Sequence, residues 1–91
     1  MVVLIVESVS TGLRGLLTRW FIEPRSGVYV GTVSARIRDL IWDEVIRSAG
    51  DGSAVLIHRA SNEQGFLVRT HGEHRRELVD MDGLQLIRWN L

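Results

Sequence analysis

Gly27-Val-Tyr-Val-Gly-Thr-Val33, followed at once by Ser34-Ala-Arg-Ile-Arg-Asp-Leu-Ile-Trp42, carries the chain from a strand into a helix. The first block is β-branched and aromatic between glycines, which mark a turn or a close approach. Ser34 is a helix cap. Ile37, Leu40, Ile41 and Val45 then recur at helical spacing, with Trp42 and Ile46 widening the stripe. Gly50 closes the helix, and Asp51-Gly52 makes a turn.

Upstream, Val2–Val6 is a continuous apolar run, the pattern of a buried central strand. Ser10 or Thr11 can cap a helix running to about Ile22, with Leu13, Leu16, Leu17, Trp20 and Phe21 at helical spacing and Pro24 stopping it. Downstream, Ser53–Ala60 reads as a third strand, Asn62–Gly65 as a turn, and Phe66–Thr70 as the second arm of a hairpin. His71–Glu77 reads as a polar loop and Leu84–Trp89 as a last strand. The expected order is β-α-β-α-β-β-β in one domain, residues 1–91. Two helices on one face of a mostly antiparallel sheet is the α+β, ferredoxin-like arrangement. The bare sheet face needs a cover. A homodimer packed through the sheets supplies it, and a chain of 91 residues with a small core gains from that burial.

Composition narrows the function. There is no cysteine, which excludes a disulfide framework and a thiolate zinc site. The apolar start meets Glu7 after five or six residues, too soon for a signal peptide or a membrane span, so the expected compartment is the cytoplasm, with no membrane partner. Net charge is zero, but it is segregated. Every basic residue is arginine. Five arginines (14, 19, 25, 36 and 38) and one acid, Glu23, lie between Arg14 and Arg38. Arg69, Arg75 and Arg76 lie with His71 and His74 around Glu73 alone. The acids gather at Asp39, Asp43, Glu44 and Asp51, and again at Glu77, Asp80 and Asp82. A neutral chain patterned this way can present a positive face. The lack of lysine fits a GC-rich genome as well as it fits phosphate recognition by arginine's forked donors.

Arg14 falls in the first turn of the first expected helix, and Arg36 and Arg38 in that of the second. A cation there opposes the positive end of the helix dipole, by a few tenths up to about 1 kcal/mol, and an external anion would offset this. Three such arginines, beside Arg25 in a turn, point to a phosphate-binding face. Gly15, inside the first helix, costs about 1 kcal/mol relative to alanine and suits either a close approach or helix packing. Glu7 ends the first strand. Two copies facing each other across a dimer axis could hold magnesium, although no second carboxylate follows nearby; otherwise Glu7 is a structural acid. His58, His71 and His74 form no ligand set, and the two loop histidines fit the basic patch. Ser8, Ser10 and Ser26 lack the histidine and acid of a nucleophile. Trp20, Trp42 and Tyr29 fit core or dimer packing.

At Leu13-Arg-Gly-Leu-Leu-Thr-Arg-Trp20, Glu23-Pro-Arg-Ser-Gly-Val-Tyr-Val-Gly31, Val33-Ser-Ala-Arg-Ile-Arg-Asp-Leu-Ile-Trp42, Gly65-Phe66, Arg75-Arg76 and Val79-Asp-Met-Asp-Gly-Leu84, the sequence resembles CRISPR-associated protein 2 of the type I-E systems. The resemblance spans nearly the whole chain. It implies a ferredoxin-like homodimer placed between dimers of a larger integrase subunit, in a complex that captures double-stranded DNA and inserts it at a CRISPR array. It implies a scaffold whose DNA-contacting positions are Arg14, Arg25, Arg36, Arg75 and Arg76. It also implies a C-terminal strand, with Leu84, Leu86, Ile87 and Trp89, that docks on the integrase. Some members of the wider family are metal-dependent nucleases with an aspartate where this chain has Glu7. That departure puts the activity in doubt and leaves a magnesium-dependent endonuclease as the alternative reading.

Overall fold

The computed structural model describes residues 1–72, 76–81 and 84–89, with side chains described for 1–72 and 84–87. The elements are β1 (Val2–Glu7), α1 (Thr11–Leu17), β2 (Ile22–Arg25), β3 (Val28–Gly31), α2 (Ala35–Ser48), β4 (Ser53–Arg59), β5 (Phe66–His71), β6 (Arg76–Met81) and β7 (Leu84–Trp89). β1 to β5 form an antiparallel sheet in the order β2-β3-β1-β4-β5, and β6 and β7 form a separate hairpin. This is the expected α+β fold, and it is compatible with the ferredoxin-like arrangement.

Strand alternation sorts the side chains. Val2, Leu4 and Val6 of β1, Tyr29 of β3 and Ala54, Leu56 and His58 of β4 are buried. All but His58 form one core with Leu13 and Leu17 of α1, Phe21, and Ile41, Trp42 and Val45 of α2. The other face carries two rows set by register. Ile22, Val30, Val3, Ile57 and Val68 cross all five strands in one; Arg25, Val28, Ile5, Val55 and Thr70 make the next. Most of these apolar residues are only half-buried, and Ile22 is 69% exposed.

Both helices start where the sequence places them. Ser10 Oγ accepts from the Leu13 N–H and Ser34 Oγ from the Ile37 N–H, each at 3.2 Å. α2 runs to Ser48, and Gly50, at φ +56°, takes the left-handed conformation that ends it. α1 is shorter than expected. It stops at Leu17, and the backbone of Arg19, Trp20 and Phe21 bonds back to Leu16 and Leu17 in tightened turns. Trp20 and Phe21 keep helical spacing, yet Phe21 is buried and Trp20 is 47% exposed. The shortened helix frees Ile22–Arg25 to form β2, a strand that Pro24 hides at the level of sequence. Proline lacks an N–H and suits an edge strand, which β2 is. β3 ends at Gly31 rather than Val33. β5 reaches His71, and a strand absent from the expected order, β6, begins at Arg76, so the expected polar loop is shorter than read.

The hairpin meets the sheet through two glutamines. The Val68 N–H donates to Gln85 Oε1 at 2.7 Å, and Gln85 Nε2 donates to the Val68 carbonyl at 3.2 Å. In turn Gln64 Nε2 donates to the Gln85 carbonyl at 2.7 Å, and the Gln85 N–H donates to Gln64 Oε1 at 2.9 Å. Each side-chain amide makes the two bonds a neighbouring peptide unit would make.

Candidate nucleic-acid interface

Register puts the candidate residues at two ends of the sheet. Glu7 pairs with Ser53, Ile5 with Val28, and Val28 with Arg25. Glu7, Arg25 and the β2–β3 turn therefore share one end, and the Val6 N–H donates to the Gly27 carbonyl there at 2.8 Å. α1 begins at this end, bringing Arg14. α2 begins beyond Gly31, which pairs with Val2 at the far end, so Arg36 and Arg38 lie about a strand length, roughly 20 Å, from Arg25. The single basic face read from the sequence is thus two groups. Arg75 lies outside the described residues, and Arg76 is placed only as the first residue of β6.

The first group centres on Glu23. Its Oε2 accepts from Arg14 Nη1 at 3.2 Å and from the Gly27 N–H at 3.0 Å. Gly27 has φ +81°, and a Cβ there would lie 2.6 Å from the Val6 carbonyl oxygen, so only glycine presents its amide this way. The Gly27 N–H first, then the Tyr29 hydroxyl and the Arg14 charge, hold the Glu23 carboxyl below the usual carboxylate range. Tyr29 is fully buried, its hydroxyl makes no hydrogen bond of good geometry among the described residues, and burial and then the Glu23 carboxylate push its pKa up. Arg25 is exposed, and among the described residues no carboxylate pairs with it.

The second group centres on Asp39. Its Oδ1 accepts from Arg38 Nε at 3.0 Å and from Arg69 Nη1 of β5 at 3.1 Å. Bonding from Arg38, and then the Arg38 and Arg69 charges, hold the Asp39 carboxyl low. Arg38 Nη1 also lies 3.1 Å from His58 Nδ1, which lies 2.9 Å from the Arg59 carbonyl. His58 is buried, and its Nε2 has no partner among the described residues. Arg36 is exposed at the start of α2, without a carboxylate among the described residues. Arg47, at the other end of α2, pairs with Glu44 at 3.2 Å.

Glu7 is exposed at the end of β1, before Ser8 at φ +58°. Among the described residues no three of His, Cys, Asp and Glu come together. His58 and His71 face the same side of the sheet, their β4 register positions four residues apart, about 13 Å. His74 lies outside the described residues. Among the described residues nothing lies within 4 Å of a Cβ built on Gly15, so no packing contact there requires a glycine. Tyr29 and Trp42 belong to the core as expected. On β7, Leu84, Leu86 and Ile87 are all exposed, so the chain covers neither phase of the strand. Trp89 is placed at its end. No helix among the described residues is long and apolar enough to cross a membrane.

Two partners went unread in the sequence, Glu23 for Arg14 and Asp39 for Arg69. The first left a trace: Glu23 is the one acid among five arginines. The family model described as CRISPR-associated protein (Cas_Cas2CT1978) matches residues 1–86.

Proposed function

The chain belongs to the CRISPR-associated protein family Cas_Cas2CT1978, and on that footing we propose that it is a non-catalytic scaffold of the spacer-acquisition complex. As a homodimer it holds a spacer-precursor duplex by its phosphates and bridges integrase subunits, in the manner of the type I-E branch it resembles. The observation that carries this is the surplus of exposed arginine. Arg25 and Arg36 stand at opposite ends of the sheet, with no carboxylate partner among the described residues. Guanidinium groups this far apart suit well-separated phosphates along a duplex and read no bases. Arg14, Arg75 and Arg76 complete the proposed contacts.

The half-buried rows on the open sheet face support the dimer. Apart from Arg25 and Thr70 at the ends of the second row, they are apolar and β-branched, and the helices lie on the opposite side. The uncovered Leu84, Leu86 and Ile87 of β7, with Trp89, support docking on the integrase. The test is co-purification with the integrase subunit, followed by duplex binding across a salt series. Arg25→Ala and Arg36→Ala should each flatten the salt dependence of binding, equally for unrelated sequences. Unchanged slopes would defeat the reading.

A magnesium-dependent endonuclease is the second reading, favoured by the exposed Glu7 at the end of β1. The chain would supply one carboxylate per copy to hold the ion. Metal-dependent cleavage that disappears with Glu7→Ala would establish it.

A further inference from the structure

Arg14, one of the proposed phosphate contacts, is not free. Glu23 holds it at 3.2 Å, and the Gly27 N–H fixes the same carboxylate oxygen at 3.0 Å. A carboxylate in this place competes with phosphate for the guanidinium. Beside it lies the Tyr29 hydroxyl, fully buried and, among the described residues, without a hydrogen bond of good geometry. A buried donor left unmet is destabilising, and a nearby carboxylate is the natural acceptor for it. We propose that Glu23 is a latch on Arg14, and that Tyr29 is the donor that takes over the carboxylate when phosphate draws Arg14 away. This deepens the duplex-binding reading and rests on it for its purpose.

Closed, the latch has an ion pair, and the Tyr29 hydroxyl lies near Glu23 without an aligned hydrogen bond among the described residues. Open, Arg14 contacts phosphate while Glu23 keeps the Gly27 N–H and takes the Tyr29 O–H in a properly aligned bond. The number of satisfied polar groups does not fall, and the hydroxyl disperses the charge that Glu23 would otherwise present to DNA. Gly27 keeps the carboxylate in place throughout, so the exchange asks only for side-chain movement. Tyr29 sets how readily Arg14 is released, and Glu23 keeps it from weaker anions.

A double-mutant cycle tests the latch without DNA. Tyr29→Phe alone should leave the melting temperature unchanged or raise it, because it removes an unmet group. Arg14→Ala alone should lower it slightly, since Tyr29 compensates. The pair together should melt about 4 °C or more below the additive sum. Additive losses would overturn the proposal. The second arm uses a duplex of arbitrary sequence. Glu23→Gln should tighten binding more than Glu63→Gln, a charge control at the β4–β5 turn. Tyr29→Phe should weaken binding about 3- to 10-fold with no change in salt slope. Weaker binding by Glu23→Gln, or unchanged binding by Tyr29→Phe, would also overturn it. If the unaltered protein binds no duplex, the functional reading fails, and the melting cycle alone decides the latch.

Discussion

Glu23 holds one arginine and one backbone amide, whereas Asp39 is shared by two arginines and no backbone group among the described contacts. Each cluster rests on a buried ring with a polar atom unpartnered among the described residues, Tyr29 in the first and His58 in the second. The first is neutral and fixed to the fold; the second has a surplus positive charge and is tied only through side chains. A carboxylate anchored by the backbone can release its arginine and stay where it is. One held only by arginines has no such independence, because moving either guanidinium changes what the other sees.

Breaking the backbone anchor should have the largest effect. Gly27→Ala sets a Cβ against the Val6 carbonyl and imposes a positive φ on alanine. The expected loss is about 2–4 kcal/mol, read as a fall of roughly 10 °C or more in melting temperature. No single backbone change has an equivalent hold on the Asp39 cluster. A smaller loss than that of an ordinary surface substitution would show that the two clusters are built alike.

Charge can be compared next. In a homodimer Arg14→Ala and Arg36→Ala each remove two phosphate contacts, and each should lower the log-log salt slope by about 2. Arg47→Ala is the control, since its side chain is 73% exposed and paired with Glu44. If all three shift the slope alike, neither end is a phosphate site.

Neutralising the carboxylates sharpens the contrast at lower energy. Asp39→Asn should cost about 1 kcal/mol, as its carboxylate is half exposed to solvent screening even though Arg38 is mostly buried. Glu23→Gln should lower the urea midpoint further, because Glu23 also accepts from a backbone amide. The reverse order would remove the distinction between the clusters.

The smallest effect is in pH. Both carboxyls titrate below their ordinary range when folded, Glu23 chiefly through the Gly27 N–H and Asp39 chiefly through Arg38. Their stabilisation is therefore fully present above the unfolded carboxylate pKa, about 4, and is lost as pH falls through the lower folded values. The urea midpoints of the unaltered protein and Asp39→Asn should keep a constant separation near neutrality and converge in acid. Separation that persists well below that range would mean the carboxylate charge is not what Asp39 contributes.

Periodicity made much of this architecture legible. β1, α2, β4, β5 and β7 lie where alternation, apolar runs and caps place them, because packing rewards those patterns directly. The region between Leu17 and Arg25 was not legible. Trp20 and Phe21 sit at helical spacing and Pro24 reads as a stop, so a turn and an edge strand look like helix followed by loop. The clusters share that origin. Arg14 and Glu23 are nine residues apart and meet only because β2 exists. Arg69 reaches Asp39 only because β5 pairs with β4. Arg36 and Arg38 were legible as the first turn of α2, but the distance between them and Arg25 depends on sheet order, which local spacing does not encode.

The glutamine brackets have a consequence for the protein in concentrated solution. An open strand edge is a template on which other chains can add and propagate as fibres. At one margin of the sheet Pro24 offers no N–H to such a template. At the other, Gln85 occupies the Val68 peptide groups while Gln64 occupies those of Gln85. The side-chain amides act as stoppers, ending a ladder that would otherwise invite another rung, and they spare the chain the lysines that more often guard such edges.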